Sequence, residues 1–378
     1  MKILHLIYTH GISGAEKYLK HLLPGLKQHG IICDLIVVCP SKYAETITGY
    51  CDELRTMGVK STLIVANRFS IIKTARAIND YLKVNDISIV HSHLLNSDLI
   101  AAVLKNLFFK KLFLISTKHG YREKVLQQYE QGKFTRLHDL YYYITKYTFR
   151  KIDVNVAVSK GMSELFYNLN LSKTIFPFIH HGISVEEFDM AAYKDVCRIS
   201  DQQLIIVGRI ELIKGHRYLI EALPAVIKVF PTVSLLVLGE GSEKENCIAQ
   251  AQALGIQRHI QFLGFQPHPY SFISHSDIVV LPSLFEPFGL VYIEAFALKT
   301  AVVAFDTSAG NEIMENYKTA LLVPKGDSNA LAEKIIYLLQ NESERKKMSE
   351  RAYLQYQHHF STETMVKNTA KWYKTLGV

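Results

Sequence analysis

The stretch LFEPFGLVYIEAFALKT, residues 284–300, sets two carboxylates, Glu286 and Glu294, eight positions apart around a Pro287-Phe288-Gly289 step. It follows IVVLPS, an apolar run with the composition of a buried strand. Pro287 and Gly289 suit a tight turn. Phe288, Gly289, Leu290 and Val291 are then expected to carry the unpaired N–H groups of the helix that follows. Such a helix end attracts phosphate or carboxylate oxygens. Taken singly, Glu286 reads as a loop acid and Glu294 as a helix-start acid. That plain account explains the pair together less well.

A second group of charges stands earlier, in IIVGRIELIKGHRYLIEA. Arg209 ends a strand, Lys214 follows five residues later, and Gly215 precedes a helix. Two cations near a helix N-terminus make a diphosphate site. The guanidinium grips oxygens as a fork and the ammonium adds a point charge. The plain alternative is a surface Arg and Lys on a loop. LVLGEGSEKE is another glycine-bounded strand end, and FLGFQP, with Gly264 and Phe265, is a turn whose backbone could read a base edge.

The first half offers THGISGAEKYL, with Gly11 and Gly14 around a small-residue turn and Glu16 at the helix start. This is not a G-x-G-x-x-G dinucleotide fingerprint. His91 and His93 end one strand and His119 the next, so these imidazoles are expected to line the ligand edge of a sheet. No H-E-x-x-H and no Asp-x-Asp pair points to a metal, and none is expected.

The elements that must position these residues are an alternation of short β-branched runs and amphipathic segments. KILHLIY, ICDLIVVC, STLIV, ISIVHSH, LFLISTK and VNVAVS read as buried parallel strands, and LIIVGR, SLLVLGE, IQFLG, IVVLPS, AVVAF and ALLV repeat the scheme. Helical patterns cover 15–29, 69–84, 135–150, 328–340, 342–358 and 362–377, with Pro24 expected to kink or break the first. Residues 172–202 break the alternation and read as a linker. The expected fold is α/β, with two Rossmann-like domains facing a central cleft, at 1–175 and 200–360. The C-terminal helix, 362–378, is expected to pack back on the first domain.

At 378 residues two domains are the natural prior. No apolar stretch reaches the ~20 residues needed to span a bilayer. Five scattered cysteines without a C-x-x-C pair suggest reduced thiols in a cytoplasmic protein. The formal charge of +8 falls in the first half. Residues 101–150 alone hold ten Lys and Arg against three Asp and Glu, interleaved with aromatics in FFKKLF and YYYITKYTFRK. Such a face suits an anionic membrane surface or an anionic acceptor, or is simply a solvated basic face. No nucleic-acid motif accompanies it.

VGRIELIKG, LGEGSE, FLGF and LFEPFGLVYIEA, in this order and spacing, resemble the retaining glycosyltransferases of family four, of GT-B fold, whose hallmark is E-x7-E. SGAE, STKHG, AVSKGM and HHGIS are similar to further family segments. The resemblance covers nearly the whole chain and is strongest over 204–323. It implies transfer of a hexose or hexosamine from a nucleotide-diphosphate sugar to a hydroxyl of a glycan or glycolipid. A lipopolysaccharide, O-antigen or capsule precursor would be such an acceptor. Transfer would proceed with retention, without metal, and with no cofactor beyond the donor. Arg209 and Lys214 match the family's cationic pair on the diphosphate, and Gly264 and Phe265 match the backbone near the base. Glu294 matches the acid on the ribose and Glu286 the acid at the donor sugar. Phe288, Gly289 and Leu290 match the backbone that meets sugar hydroxyls and phosphate. Gly14 matches the N-terminal glycine turn near donor or acceptor, and His119 the histidine beside the donor sugar.

The sequence departs from the family in three places. SGAE stands for GGAE, HHGIS lacks the aspartate of NGVD, and TSAGNEIM carries one glycine where two are usual. Two other readings stay open on sequence alone: a non-catalytic nucleotide-sugar-binding partner subunit, and a GT-B nucleotide-sugar epimerase. The nucleotide, whether UDP, GDP or ADP, is not fixed.

Overall fold

The structure is a computed structural model that describes every residue except 68, 123–124, 127–138, 189, 191–197 and 378. It contains two six-stranded sheets, and every strand pair in both is parallel. The first sheet is built from β1 (Lys2–Tyr8), β2 (Ile32–Cys39), β3 (Lys60–Val65), β4 (Ile89–His93), β5 (Phe113–Lys118) and β6 (Val154–Ala157). Its order is β3-β2-β1-β4-β5-β6. The second comprises β7 (Gln203–Val207), β8 (Ser234–Leu238), β9 (Ile260–Gly264), β10 (Ile278–Leu281), β11 (Ala301–Phe305) and β12 (Leu321–Val323), in the order β12-β11-β10-β7-β8-β9. All twelve runs read as strands are strands.

Each sheet belongs to a compact unit of its own. The first holds the chain through Tyr121, the segment that ends at Gly182, and everything from Thr362 onward. The second holds Ile183–Ser361.

In the first unit, the two-residue repeat of a strand sorts side chains between two cores. Ile3 and Ile7 of β1 face the Gly14–Leu26, Ala44–Thr56 and Thr362–Thr375 helices, which bring Leu19, Leu22, Ile47, Leu54, Val366 and Tyr373. Leu4 and Leu6 face the Ile71–Asn85 and Leu95–Leu107 helices, with Ile78, Leu82, Ala101 and Leu104. Burial on both faces is why these strands lack polar alternation. One core of the second unit joins β7, β8, β10, β11 and β12 to the His216–Val229 and Ser328–Gln340 helices.

Pro24 does not break the first helix. Gly14–Leu26 runs through it and gives way to a 3-10 turn, Lys27–His29. Pro24 falls in the last helical turn, where little helix remains for it to disrupt. The helix expected at 135–150 is Leu140–Lys151 among the described residues. The rest of that span, and part of the basic segment 101–150, lies outside them.

Both sheets reverse their strand order once, between β1 and β4 and between β7 and β10. Ligands of open parallel sheets bind beyond the carboxyl ends of the strands at such a reversal.

Candidate active site

At the β7/β10 reversal, backbone contacts tie neighbouring strand ends together. Leu284 N–H donates to the Ile213 carbonyl at 2.8 Å, which joins the loop after β10 to the loop after β7. Gly215 sits at φ 72°, and a Cβ there would lie 1.8 Å from the Pro282 carbonyl oxygen. Only glycine allows that crossing. Gly239, at φ 143°, passes Gly208 as closely, with a Cβ that would meet its carbonyl oxygen at 1.9 Å. Ile210 N–H donates to the Glu240 carbonyl and Gly239 N–H to that of Gly264, so the loops after β7, β8 and β9 also share hydrogen bonds.

This frame holds Lys214 against Glu286. The ammonium Nζ lies 2.7 Å from Oε1 and 2.8 Å from Oε2. The Ser283 hydroxyl donates to Oε1 at 2.8 Å. The Glu286 side chain retains 10% of its exposure and that of Lys214 21%, so the pair is sheltered but reachable. Its charge extends to the next helix. Burial, and then Glu286, push the Tyr292 hydroxyl well above its ordinary pKa.

Arg209 is exposed at the end of β7. Nearby Glu211 accepts from the Ser242 hydroxyl at 2.6 Å and from the Ser242 N–H at 3.2 Å. Those bonds, and then the Arg209 charge, hold its carboxyl below the usual value. Gly289 begins the Leu290–Ala297 helix at φ 98°, and a Cβ on it would strike the Tyr292 ring at 2.3 Å. Phe288 is a core side chain, edge-on to Phe360 at 6.1 Å, so what it can offer a ligand is its backbone. Glu294 is half-buried on that helix. Gly264 and Phe265 stand at the end of the edge strand β9. Gly264 has φ 69° with Glu240 beside it, and the Phe265 side chain is 75% exposed. Arg209, Lys214, Glu286, Gly289 and Glu294 therefore flank one reversal of one sheet, and Gly264 lies two strands away.

Gly14 and His119 belong to the first unit. Gly14 opens its helix, and the Glu16 carboxylate accepts from the Ser13 N–H at 2.8 Å and hydroxyl at 2.6 Å, closing the turn. His119 ends β5 and is half-buried. The expectation that His91 and His93 line the ligand edge is corrected. Both are within 1% of full burial on the core side of β4, beneath His119. The parallel register places His5 of β1 opposite His91, so three imidazoles share a face. Their rings stack, His91 on His93 at 4.5 Å and His5 on His91 at 4.9 Å. Three histidine nitrogens lie within 4.8 Å of one another, the spacing of a possible metal nest. Stacked planes do not aim their nitrogens at a common point, however, and these nitrogens are bonded to protein groups. The His91/His93 spacing marks a shared face in the sequence. The parts played by His5 and Tyr373 depend on strand register and on the docking of the last helix, and no local pattern shows them.

The sequence profile for group 1 glycosyl transferases matches residues 197–355, and that for Glycosyltransferase Family 4 matches residues 12–187. The chain belongs to the GT-B glycosyltransferases. A sucrose-phosphate synthase from Thermosynechococcus elongatus superposes with a TM-score of 0.80 at 20% identity, covering 100% of this chain and 99% of that one. Anabaena HepE in complex with UDP-glucose gives a TM-score of 0.78 at 18% identity over 99% and 100%. Among curated relatives, the Campylobacter jejuni N-acetylgalactosamine-N,N'-diacetylbacillosaminyl-diphospho-undecaprenol 4-alpha-N-acetylgalactosaminyltransferase is 28% identical over 53% of this chain and 55% of its own length. The glycosyltransferase chain thus spans about half the length of such a relative.

Proposed function

We propose that this glycosyltransferase moves a hexose or hexosamine from a nucleotide-diphosphate sugar to a hydroxyl of a glycan or glycolipid acceptor. The observation that carries this reading is the Lys214–Glu286 pair beside Arg209 at the β7/β10 reversal. A donor diphosphate would compete with Glu286 for the Lys214 ammonium and take the Arg209 fork. Glu286 would then face the sugar and Glu294 the ribose. Cleavage of the glycosyl–phosphate bond leaves its electron pair, and so extra negative charge, on the diphosphate. Arg209, Lys214 and the amides around Gly289 meet that charge as it grows, a preorganisation that lowers barriers strongly. Positive charge grows on the sugar ring, where a carboxylate favours it. The acceptor oxygen bonds to the anomeric carbon on the face the diphosphate leaves. Its proton passes to the departing phosphate oxygen, so configuration is retained. In this scheme side-chain cations take the part of a metal.

UDP-glucose bound to HepE supports a uridine donor, and the undecaprenol-linked substrate in the Campylobacter name supports a lipid-linked acceptor. Docking of the basic segment 101–150 on anionic lipid fits such an acceptor and a cytoplasmic, membrane-peripheral location. No helix among the described residues is long and apolar enough to cross a membrane. The deciding experiment is a thermal-shift and transfer screen against UDP-, GDP- and ADP-sugars. One donor should raise the melting temperature by mass action and label a glycolipid acceptor. No shift and no transfer with any of the three would overturn the reading.

A further inference from the structure

The Glu286 carboxylate is held from two sides. Lys214 Nζ reaches both oxygens, at 2.7 Å to Oε1 and 2.8 Å to Oε2. The Ser283 hydroxyl reaches Oε1 alone, at 2.8 Å. A carboxylate only accepts, so the single hydroxyl proton of Ser283 points at Oε1. That hydroxyl makes no other hydrogen bond among the described residues.

The two holds differ in what fixes them. Lys214 ends a 3-10 turn, Leu212–Lys214, and carries its ammonium on a flexible stem that is 21% exposed. Ser283 is short and 2% exposed, on a backbone pinned at both neighbours. Before it, the Pro282 carbonyl oxygen lies against Gly215, where a Cβ would meet it at 1.8 Å. After it, Leu284 N–H donates to the Ile213 carbonyl at 2.8 Å. An anionic ligand can therefore draw the ammonium away by turning the lysine stem. It cannot draw the hydroxyl away without moving that backbone.

The carboxylate needs a hold of this kind. The last torsion of a glutamate side chain is broad, so its own rotamer preference does not set the plane of the two oxygens. A sheltered carboxylate left without a donor would also be costly.

We infer that Ser283 is a positioning residue, which keeps Oε1 of Glu286 when a donor diphosphate takes Lys214 and so presents Oε2 to the reacting sugar. The ligand in this statement rests on the proposed transferase reading. The two oxygens then have different roles. Oε1 stays anchored on Ser283. Oε2, released from Lys214, meets the positive charge that grows on the sugar ring.

A crystal structure of full-length Lys214→Ala tests the hold without turnover, because the substitution removes the ammonium. Glu286 Oε1 should stay within hydrogen-bond distance of Ser283 Oγ. Adding Ser283→Ala should cost the carboxylate its single orientation. A carboxylate that swings off Ser283 in Lys214→Ala overturns the inference, as does one that keeps its place in the double variant. Kinetics test the consequence. Ser283→Ala should lower kcat about tenfold, on the scale of one lost hydrogen bond to a charged group. Donor KM, nucleotide affinity and melting temperature should change little. In a Glu286→Gln background the same substitution should change kcat by less than about twofold, since coupled residues are not additive. Equal losses in the two backgrounds, or no loss in the wild-type background, overturn the positioning role. The crystal structure reads the hold whether or not any donor is turned over, so failure of the transferase reading remains distinguishable.

Discussion

The ammonium of Lys214 bridges both carboxylate oxygens of Glu286, at 2.7 and 2.8 Å, across two loops that glycine alone lets cross. The acid and the cation proposed to meet opposite charges of a reacting donor therefore pair with each other. In the proposed scheme a donor diphosphate separates them and leaves Glu286 free to act on the sugar. Glu286→Gln keeps the shape and removes the charge. It should reduce transfer by roughly 100-fold or more, the scale of losing a group aimed at transition-state charge. Its melting temperature should stay within a few degrees of wild type, because a partly exposed pair adds little stability. Steady-state rates and a thermal melt check both statements.

Gly215 and Gly30 separate crowding from backbone conformation. Both have φ near 75°, but a Cβ at Gly30 meets nothing within 4 Å, whereas at Gly215 it meets the Pro282 carbonyl oxygen at 1.8 Å. Gly30→Ala should cost about 1 kcal/mol, the left-handed penalty for an L-residue. Gly215→Ala should cost more than twice that and lower transfer as well, since it pushes the Lys214 loop from the Glu286 loop. Urea titrations of the two variants test the difference; equal losses would contradict the crossing.

On the other face of the first sheet, Lys118 and Asp98 form a buried pair at 2.6 Å, and the Ser92 and Ser116 hydroxyls donate to the same carboxylate. Burial lowers the Lys118 pKa, and Asp98 opposes that shift. Asp98→Ala leaves an uncompensated buried cation and should destabilise the protein by about 3–5 kcal/mol. Lys118→Met in the same chain should recover part of the loss. A denaturant double-mutant cycle measures this coupling.

The buried histidines make stability depend on acid. His5 and His119 have folded pKa values lowered by burial to about 3, against 6.5 for free histidine. The unfolded chain therefore binds more protons between these values. The stabilisation is complete above pH 6.5 and is lost as pH falls toward 3, at about 1.4 kcal/mol per pH unit for each such histidine. Urea midpoints should drop steadily from pH 7 to pH 5. His5→Gln, if folded, should flatten that slope.

Much of the fold was legible because buried parallel strands announce themselves as short β-branched runs, as ISIVHSH and AVVAF do. The helix after Gly289 was legible because its turn residues are specific. What escaped was long-range. Nothing near Lys214 says that its partner is Glu286, 72 residues on, because that contact follows from β10 lying beside β7. His91 and His93 were noticed but expected at the ligand edge, since a sequence cannot say how far below a strand's end a side chain sits. The bond between His91 and Tyr373 spans 282 residues and depends on the last helix docking beside β1 and β4.

The central claim is that Arg209 and Lys214 bind the donor diphosphate while Glu286 serves the sugar. Calorimetric titration of UDP, GDP and ADP into wild type, Arg209→Ala and Glu286→Gln tests it most directly. The account predicts that one nucleotide binds wild type, that Arg209→Ala weakens it by about tenfold or more, as loss of a charge-assisted fork should, and that Glu286→Gln binds it at least as tightly as wild type. Undiminished binding by Arg209→Ala, or binding lost in Glu286→Gln, would contradict the account.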